Sequence, residues 1–235
     1  MPVDKSPDQI RGMFAEIARR YDFLNHFLSL GIDRRWRRRT TRLVPPRDDR
    51  PILDVCTGTG DLALAYWRAS GGAVPIVGAD FCRPMLELGR RKCQRAGAGP
   101  VSLVEADAQR LPFADDRFQI VCVAFGLRNV SDTARGLAEM ARVCAPGGCV
   151  AVLEFSMPRV PLLGPLYGWY FRRVLPRLGQ LVARNRRGAY NYLPASVGEF
   201  PQAAEMCRRM EAAGLHAVRC HRLTLGVASL YVGTK

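Results

Sequence analysis

The chain is poor in metal-binding residues and has no long uncharged apolar run. It holds three histidines, and none of its eight cysteines forms a CxxC pair. Most of these cysteines lie in apolar stretches, so we expect reduced thiols in a cytosolic core, not a zinc site or a disulfide framework. No segment approaches the roughly 18 apolar residues of a transmembrane helix. The opening MPVDKSPDQ lacks the apolar core of a secretory signal, which predicts a cytoplasmic protein.

Acidic residues are also few. The 21 Asp and Glu face 35 Lys and Arg, which gives a formal net charge of +14. Twelve of the cations are arginines in two patches, 34–42 and 172–187. This charge favours an anionic partner, either nucleic acid or an anionic membrane surface. A surface that only promotes solubility would carry the same charge, so composition leaves these readings open.

What the chain does have is a regular alternation of strands and helices from residue 51. It predicts one α/β domain over 1–235, with a mostly parallel sheet covered on both faces. Two late strands follow one another without a helix, which predicts an antiparallel strand at the edge of a seven-stranded sheet. The alternation has two additions: an N-terminal helical cap at 1–45 and an insertion at 157–200. The predicted strands are 51–56, 75–80, 101–106, 117–125, 147–155, 215–223 and 223–235.

The cap begins with a helix near residue 6. Ser6 is a candidate N-cap, and Pro7 suits the first turn. Ile10, Met13, Phe14, Ile17 and Tyr21 follow at helical spacing and form one apolar face. Because this helix precedes the first strand, we expect it to pack on the core or to cover a cleft.

The strongest local motif is LDVCTGTGDLA, in which Gly58 and Gly60 lie between a strand and a helix. Glycines at such a junction let the backbone approach a ligand beside the free N–H groups of the helix. The same spacing also fits a nicotinamide dinucleotide site, so the glycines alone do not identify the ligand.

Acids at successive strand ends favour S-adenosylmethionine over a dinucleotide. Asp54 precedes the glycines and Asp61 follows them, where acids would repel a pyrophosphate and attract a cationic sulfonium. Asp80 ends the second strand, where a carboxylate binds ribose hydroxyls. Asp107 ends the third strand and is placed to take the adenine amino group. With the APGG turn and the late antiparallel pair, these acids predict a class I, Rossmann-like S-adenosylmethionine-dependent methyltransferase.

The fourth strand ends in AFGLRNVSD, at the edge where such sheets bind ligands. Arg128 and Asn129 can hold an anionic or phenolic oxygen through charged hydrogen bonds. An Arg–Asp pair internal to the loop is the plainer alternative. The chain has no NPPY or DPPY motif and no Pro-Cys pair. Methylation of nucleic-acid amino groups or of cytosine C5 therefore lacks its usual residues.

From about residue 10 to 234 the chain resembles the ubiquinone/menaquinone biosynthesis C-methyltransferase family. FGLRN is close to diagnostic of that family. The family often has Met at Leu24 and His at Asp33, and it usually has Ser at Ala124. The motifs that carry the likeness are Tyr21-Asp22-x-x-Asn25…Ser29…Trp36, FGLRN at 125–129, Arg142-Val143…Pro146-Gly147-Gly148…Glu154-Phe155-Ser156, and LPRLGQLVARN…YNYLPASVGEFP.

The resemblance implies C-methylation of demethylmenaquinol to menaquinol. The benzoquinol intermediate of ubiquinone biosynthesis is the alternative substrate. Rivals from other classes are an RNA methyltransferase and a basic membrane-surface binding protein without activity. The expected S-adenosylmethionine-binding residues are Asp54, Gly58, Thr59, Gly60, Asp80, Asp107, Ala108 and Ala124, the last in place of the family's Ser.

The implied chemistry suggests roles for four more residues. A ring carbon becomes nucleophilic when a neighbouring hydroxyl is ionised or hydrogen-bonded to a base. We expect Arg128 to stabilise the phenolate and Asn129 to orient it. Tyr21 and Asp22 are candidates for base or positioner on the opposite wall, and His26 is a weaker one. We expect no metal.

A polyprenyl quinol resides in the bilayer, and this suggests a function for the two basic patches. They are predicted to hold the enzyme on anionic lipid at the inner face of the membrane, without a nucleic-acid partner. The sequence leaves open whether the protein forms a homodimer. The predicted isoprenoid path consists of Phe23, Leu24, Phe27, Leu28 and Leu30, and the predicted interface aromatics are Tyr167, Trp169, Tyr170 and Phe171.

Overall fold

The computed structural model describes residues 4–158, 160–161, 163–170, 173 and 189–235. Its centre is a seven-stranded sheet in the order β3-β2-β1-β4-β5-β7-β6. The strands from β3 to β5 pair in parallel, and β7 pairs antiparallel with both β5 and β6. The predicted fold class is therefore confirmed, with the antiparallel strand one place inside the edge. The strands are β1 Ile52–Val55, β2 Ile76–Asp80, β3 Val101–Glu105, β4 Phe118–Ala124, β5 Cys144–Phe155, β6 His216–Leu223 and β7 Ala228–Thr234.

Helices cover both faces of the sheet. The central strand β4 shows why, since Val121 and Val123 face one buried cluster while Ile120 and Cys122 face the other. A parallel strand buried on both sides needs such a continuous apolar run. The described helices are α1 Pro7–Leu28, α2 Ile32–Leu43, α3 Asp61–Ala69, α4 Arg83–Arg95, α5 Thr133–Val143, α6 Leu163–Trp169, α7 Ala189–Glu199 and α8 Ala204–Ala212.

The first helix carries the predicted apolar face. Ile10, Met13 and Ile17 are buried against Val197 of α7. Ser6 occupies the N-cap position, but its side chain makes no capping bond, and its N–H donates to Asp4 instead. The start of α1 thus depends on proline geometry and tertiary packing, and the predicted serine cap was wrong.

Only part of the predicted insertion at 157–200 falls among the described residues. Phe171, most of the second arginine patch and the LPRLGQLVARN motif lie outside them. The described part supplies Tyr167, Tyr170 and Tyr192, which pack beside α1. None of the helices in the described ranges combines the length and the apolar content that a membrane crossing requires.

Candidate active site

The loop between β1 and α3 is shaped by glycine and by a buried acid. Gly58 and Gly60 have φ of +57° and +81°, in the left-handed region that favours glycine. Asp54 is 1% exposed, and its Oδ2 accepts hydrogen bonds from Thr57 Oγ1 at 2.5 Å and from Ala63 N–H at 3.1 Å. Burial raises the pKa of Asp54 to about 7. Asp54 therefore stabilises the loop between β1 and α3 from its buried side.

A cleft opens at the carboxyl ends of β1 to β4; we call it the strand-end cleft. Its empty volume, including open solvent at the mouth, is about 830 Å³. Helix α1 covers it with Ile10, Phe14 and Tyr21. Of the residues predicted to bind S-adenosylmethionine, five lie on its wall: Gly58, Asp80, Asp107, Ala108 and Ala124. Asp54, Thr59 and Gly60 do not lie on it.

Asp80 and Asp107 stand at the ends of adjacent strands, as predicted. Asp80 accepts hydrogen bonds from Gly58 N–H and Cys82 N–H, both at 2.8 Å, so its carboxylate is fixed in place. Burial raises the pKa of Asp80 to about 6, although backbone donors oppose the shift. Asp107 is exposed and accepts from Gln109 N–H at 2.9 Å. The cleft therefore offers two carboxylates to hydroxyl or amino groups.

The floor of the cleft is strained where β1 and β4 end side by side. Cys56 and Phe125 have φ of +52° and +59°, which costs a non-glycine residue on the order of 1 kcal/mol or more. A Cβ on Gly126 would lie 2.4 Å from the Cβ of Cys56. The glycine of FGLRN is therefore required by a close approach of two loops.

The cleft residues fit S-adenosylmethionine. A Cβ on Gly58 would lie 3.4 Å from Met85 Cε and about 4.0 Å from Tyr21, so a side chain there would narrow the cleft. Asn129 lies on the wall, and its buried Oδ1 has no hydrogen-bond partner within the described residues. A buried amide oxygen without a partner is costly, which indicates that a ligand donor completes it.

Thr59 and Asp22 turn away from this cleft and bond to each other. Thr59 Oγ1 donates to Asp22 Oδ1 at 2.5 Å, and Lys92 Nζ lies 2.5 Å from Asp22 Oδ2 and 2.9 Å from Thr59 Oγ1. We call these three residues the latch. The latch joins α1 and α4 to the glycine loop. Asp22, predicted as a base or positioner, lines neither this cleft nor the apolar cavity described below.

A second chamber, which we call the apolar cavity, adjoins the cleft. Its empty volume, including open solvent at the mouth, is about 1360 Å³. It shares Phe14, Tyr21 and Phe125 with the strand-end cleft, so a single layer of side chains separates the two. Its other wall residues include Ile17, Ser29, Asp33, Trp36, Arg37, Arg128, Phe155, Tyr167, Tyr170, Tyr192 and Leu193.

Arg128 is a buried cation on the wall of the apolar cavity. It is 6% exposed, and its Nη1 lies 3.0 Å from Glu154 Oε2 and also donates to the carbonyl of Phe125. Its guanidinium lies 5.4 Å from the ring centroid of Phe155. Its Nε is buried with no partner among the described residues. The partner is therefore Glu154 of β5, not an acid of the same loop.

The structure separates two residues that the sequence predicted to act together. Arg128 faces the apolar cavity, whereas its neighbour Asn129 faces the strand-end cleft. The short 3-10 turn Leu127–Asn129 places consecutive side chains on different sides, which explains the split. Asn129 consequently lies on the wall of the strand-end cleft and not on that of the apolar cavity.

Tyr21 lies on the wall of both chambers. Burial raises the pKa of its phenol, opposed by the charges of Arg128 and Arg37 and by a hydrogen bond with Asn25. The phenol is therefore protonated at neutral pH and can donate a hydrogen bond. It is a poor candidate for a base.

Beside the cavity lies an ionic network that the sequence did not predict. His26 Nδ1 and Arg37 Nη1 lie 2.9 Å and 2.5 Å from Asp33 Oδ2. Asp61 lies 3.8 Å from His26 Nε2 and 2.7 Å from Lys92. His26, Asp33 and Asp61 bring ligand atoms within 4.8 Å of one another. Because Arg37 and Lys92 already neutralise both acids, the arrangement is that of a salt-bridge network.

The network borders an open surface groove. We define the basic groove by five cations on its wall, together with Asp22, His26 and Asp61. The cations are Arg34, Arg38, Arg42, Arg68 and Lys92. The first arginine patch of the sequence thus forms one side of a charged depression, and the buried Arg37 also lies on its wall.

The fold and the strand-end cleft define a class I methyltransferase whose methyl donor is S-adenosylmethionine. A solved S-adenosylmethionine-dependent methyltransferase from Thermotoga maritima has the same fold, with a TM-score of 0.61 and 20% identity over 95% of this chain and 100% of that one. The model of the ubiE/COQ5 methyltransferase family matches residues 3–235, and the chain belongs to that family. The resemblance noted in the sequence is confirmed.

Two relatives show the range of names in the family. The demethylmenaquinone methyltransferase of Thermus thermophilus is 50% identical over 223 residues, which is 95% of this chain and 100% of that protein. The ubiquinone/menaquinone biosynthesis C-methyltransferase UbiE of Geobacter sulfurreducens is 45% identical over 229 residues, which is 97% of this chain and 89% of that protein.

Proposed function

We propose that the enzyme methylates a ring carbon of demethylmenaquinol, the last step in forming menaquinol. The observation that carries the proposal is the apolar cavity, which shares three aromatic wall residues with the strand-end cleft. Its lining suits a fused ring and an isoprenoid chain, and its buried cation suits a phenolate. The name of the Thermus thermophilus relative supports the naphthoquinol over other ring systems.

The chain's own groups hold and polarise the quinol. When bound in the cleft, S-adenosylmethionine supplies an electrophilic methyl group on a sulfonium. Arg128 stabilises negative charge on the ring oxygen, since its position is fixed by Glu154 and desolvated by burial. The protonated phenol of Tyr21 donates to a ring oxygen and orients the ring. Holding both partners across one wall supplies much of the rate acceleration.

The test is a labelling assay with three acceptors. Purified enzyme is incubated with methyl-labelled S-adenosylmethionine and chemically reduced demethylmenaquinone, a benzoquinol analogue or bulk RNA, each quinol in detergent. We expect label in the naphthoquinol. Label in both quinols would define a dual-pathway enzyme, which the name of the Geobacter sulfurreducens relative also describes. Label in RNA alone would contradict the proposal.

We further propose that the enzyme collects its substrate at an anionic membrane surface. Phe23, Phe27 and Leu30 are 60%, 50% and 84% exposed, and Leu30 also lies on the wall of the apolar cavity. The basic groove adjoins them, since Phe23 lies on its wall too. Exposed apolar side chains beside cations match the requirements of a lipid interface.

This arrangement revises the isoprenoid path predicted from the sequence. Leu24 is fully buried in the core cluster between α1 and α7, and of the four predicted residues whose side chains the structure describes, only Leu30 lines the cavity. The side chain of Leu28 lies outside the described residues. Of the predicted interface aromatics, Trp169 is 58% exposed, whereas Tyr167 and Tyr170 line the cavity.

Sedimentation with vesicles tests the membrane proposal. We expect the enzyme to sediment with anionic vesicles at moderate salt, and a Phe23→Ser/Phe27→Ser variant to lose most of that binding. Leu225→Ser, at a residue that is 67% exposed and does not line the basic groove, is the matched control. Equal sedimentation of both variants would contradict the proposed surface.

A further inference from the structure

C-methylation of a quinol must release one proton. The ring carbon forms a C–C bond with the methyl group, and the electron pair of the broken S–C bond remains on sulfur. The O–H electron pair of the ring hydroxyl flows into the ring as its proton departs. The same carbon then loses its hydrogen as a proton, that C–H pair restores the aromatic ring, and the oxygen is reprotonated. One proton per turnover must therefore leave a largely apolar cavity.

A buried carboxylate on the cavity wall has a vacant acceptor position. Asp33 has a side chain 4% exposed and lies on the wall beside Ser29. Its Oδ2 accepts from Arg37 Nη1 and lies 2.9 Å from His26 Nδ1, which donates or accepts according to the imidazole tautomer, whereas its Oδ1 accepts only from Ser29 Oγ, at 2.8 Å, among the described residues. Since a carboxylate oxygen accepts about two hydrogen bonds, Oδ1 can take one more from a ligand.

The same carboxylate is connected to solvent on its other side. His26 Nδ1 lies 2.9 Å from Asp33 Oδ2, and the imidazole lines the basic groove. The side chain of His26 is 19% exposed. Two hydrogen-bonding groups thus span the wall between the apolar cavity and an open aqueous groove.

We propose that Asp33 accepts the proton of the quinol ring hydroxyl and that His26 passes it to the basic groove. The proposal rests on the quinol substrate proposed above. The ring-hydroxyl proton moves to Asp33. His26, in the tautomer protonated at Nε2, then accepts it at the Nδ1 lone pair, 2.9 Å from Asp33 Oδ2, while the Nε2 proton leaves for groove water. The imidazole tautomers re-equilibrate through that water. Asp33 is a catalytic residue, and His26 acts through it.

The charges around Asp33 and His26 keep the Asp33 carboxylate ionised and therefore able to accept a proton. Burial would raise the pKa of Asp33, but Arg37, Ser29 and His26 lower it overall, so the carboxylate is ionised at neutral pH. Asp61 of α3 faces His26 Nε2 at 3.8 Å and can receive or screen the departing proton. The charged or titratable groups packed around the pair are Tyr21 and Asp22 of α1, Arg37 of α2, Asp61 of α3 and Lys92 of α4.

The test measures single-turnover methylation of reduced demethylmenaquinone in five variants, two of which are controls. We expect Asp33→Asn to lose about 100-fold or more in rate, with quinol affinity changed less than about threefold. Asp33→Glu should recover part of the rate. His26→Gln should lose about tenfold, and imidazole in the buffer should restore most of it because the groove is open. Asp49→Asn and His216→Gln, at exposed residues, are the matched controls.

Each outcome supports or overturns the relay. A wild-type rate in Asp33→Asn would remove Asp33 while leaving the proposed function intact. A slow His26→Gln variant that imidazole does not rescue would make His26 merely structural. A wild type that leaves the quinol unlabelled would overturn the proposed function and the relay together. If Asp33→Asn does not fold, histidine NMR of the wild type decides: quinol binding should shift His26 and leave His216 unchanged.

Discussion

The two chambers of this enzyme meet at one wall and are built in different ways. The strand-end cleft is made by loops that follow four adjacent parallel strands. Each strand end, with its loop, contributes a wall residue to it: Gly58, Asp80, Asp107 and Asn129. The apolar cavity draws its wall from α1, α2, the ends of β4 and β5, α6, α7 and the turn after β6. The strand-end cleft is therefore a property of the fold, and the apolar cavity depends on the N-terminal and late helices added to it.

The largest effect should come from the cation of the apolar cavity. Arg128→Met should lower kcat about 100-fold or more, since a fixed donor to a developing oxyanion is lost, while affinity for S-adenosylmethionine changes little. The variant should also lose about 3–5 kcal/mol of stability, because Glu154 is left buried and unpaired. Turnover and urea unfolding measure the two effects.

A second variant separates stability from chemistry. Arg128→Met/Glu154→Gln removes both charges and should recover most of the stability but none of the rate. If the double variant turned over like the wild type, Arg128 would be a structural residue and the two chambers would not differ in the way argued above.

The next largest effect belongs to the strand-end cleft. Asp80→Ala should weaken binding of S-adenosylmethionine about 100-fold, because the variant loses a ligand carboxylate and the acceptor that holds Gly58 N–H and Cys82 N–H. Calorimetry measures the affinity. Asp115→Asn, at an exposed acid outside the cleft, is the control. A variant that bound the donor normally but failed to bind quinol would reverse the assignment of the chambers.

A third prediction concerns pH and the support beneath the loop. The pKa of Asp54 is raised from 3.8 to about 7, so its contribution to stability is present below about pH 4 and is lost as the pH rises to about 7. The loss is roughly 4 kcal/mol at most. Asp54→Asn should flatten the profile of unfolding free energy over this range, apart from the smaller slope that Asp80 adds up to about pH 6. An unchanged slope would contradict the raised pKa.

The smallest effect should come from the latch between the regions. Thr59→Val removes one hydrogen bond to Asp22 and should cost about 1 kcal/mol of stability, with a severalfold loss of donor affinity. A double-mutant cycle of Thr59→Val with Asp22→Asn measures the coupling between α1 and the glycine loop. Additive effects would show that the two elements are independent.

The cleft could be largely predicted from the sequence because parallel topology brings strand ends together. Asp80 and Asp107 end consecutive strands, so alternation alone places them on one wall. The side chain of Asp54 bonds within the loop and its helix, and that of Thr59 bonds Asp22 and Lys92, so neither lies on the cleft wall. Spacing along a loop does not fix which way each side chain points.

The apolar cavity was beyond prediction for a physical reason. The partner of Arg128 is Glu154, 26 positions away on another strand, and the register of β4 with β5 sets that contact. Asp33 and Arg37 lie in an arginine-rich stretch whose composition indicated only a surface patch. Which arginine turns inward depends on helix packing, and Arg37 alone of that patch is buried.

The shared wall constrains how this enzyme can diversify. Phe14, Tyr21 and Phe125 touch both chambers, so a substitution that reshapes one pocket there also alters the other. Tyr167 and Tyr192 line only the apolar cavity. Selection for a new ring or a longer tail can therefore act on the late helices without penalty to the methyl donor. Changes in the late helices thus affect one chamber, whereas changes on this face of α1 affect both.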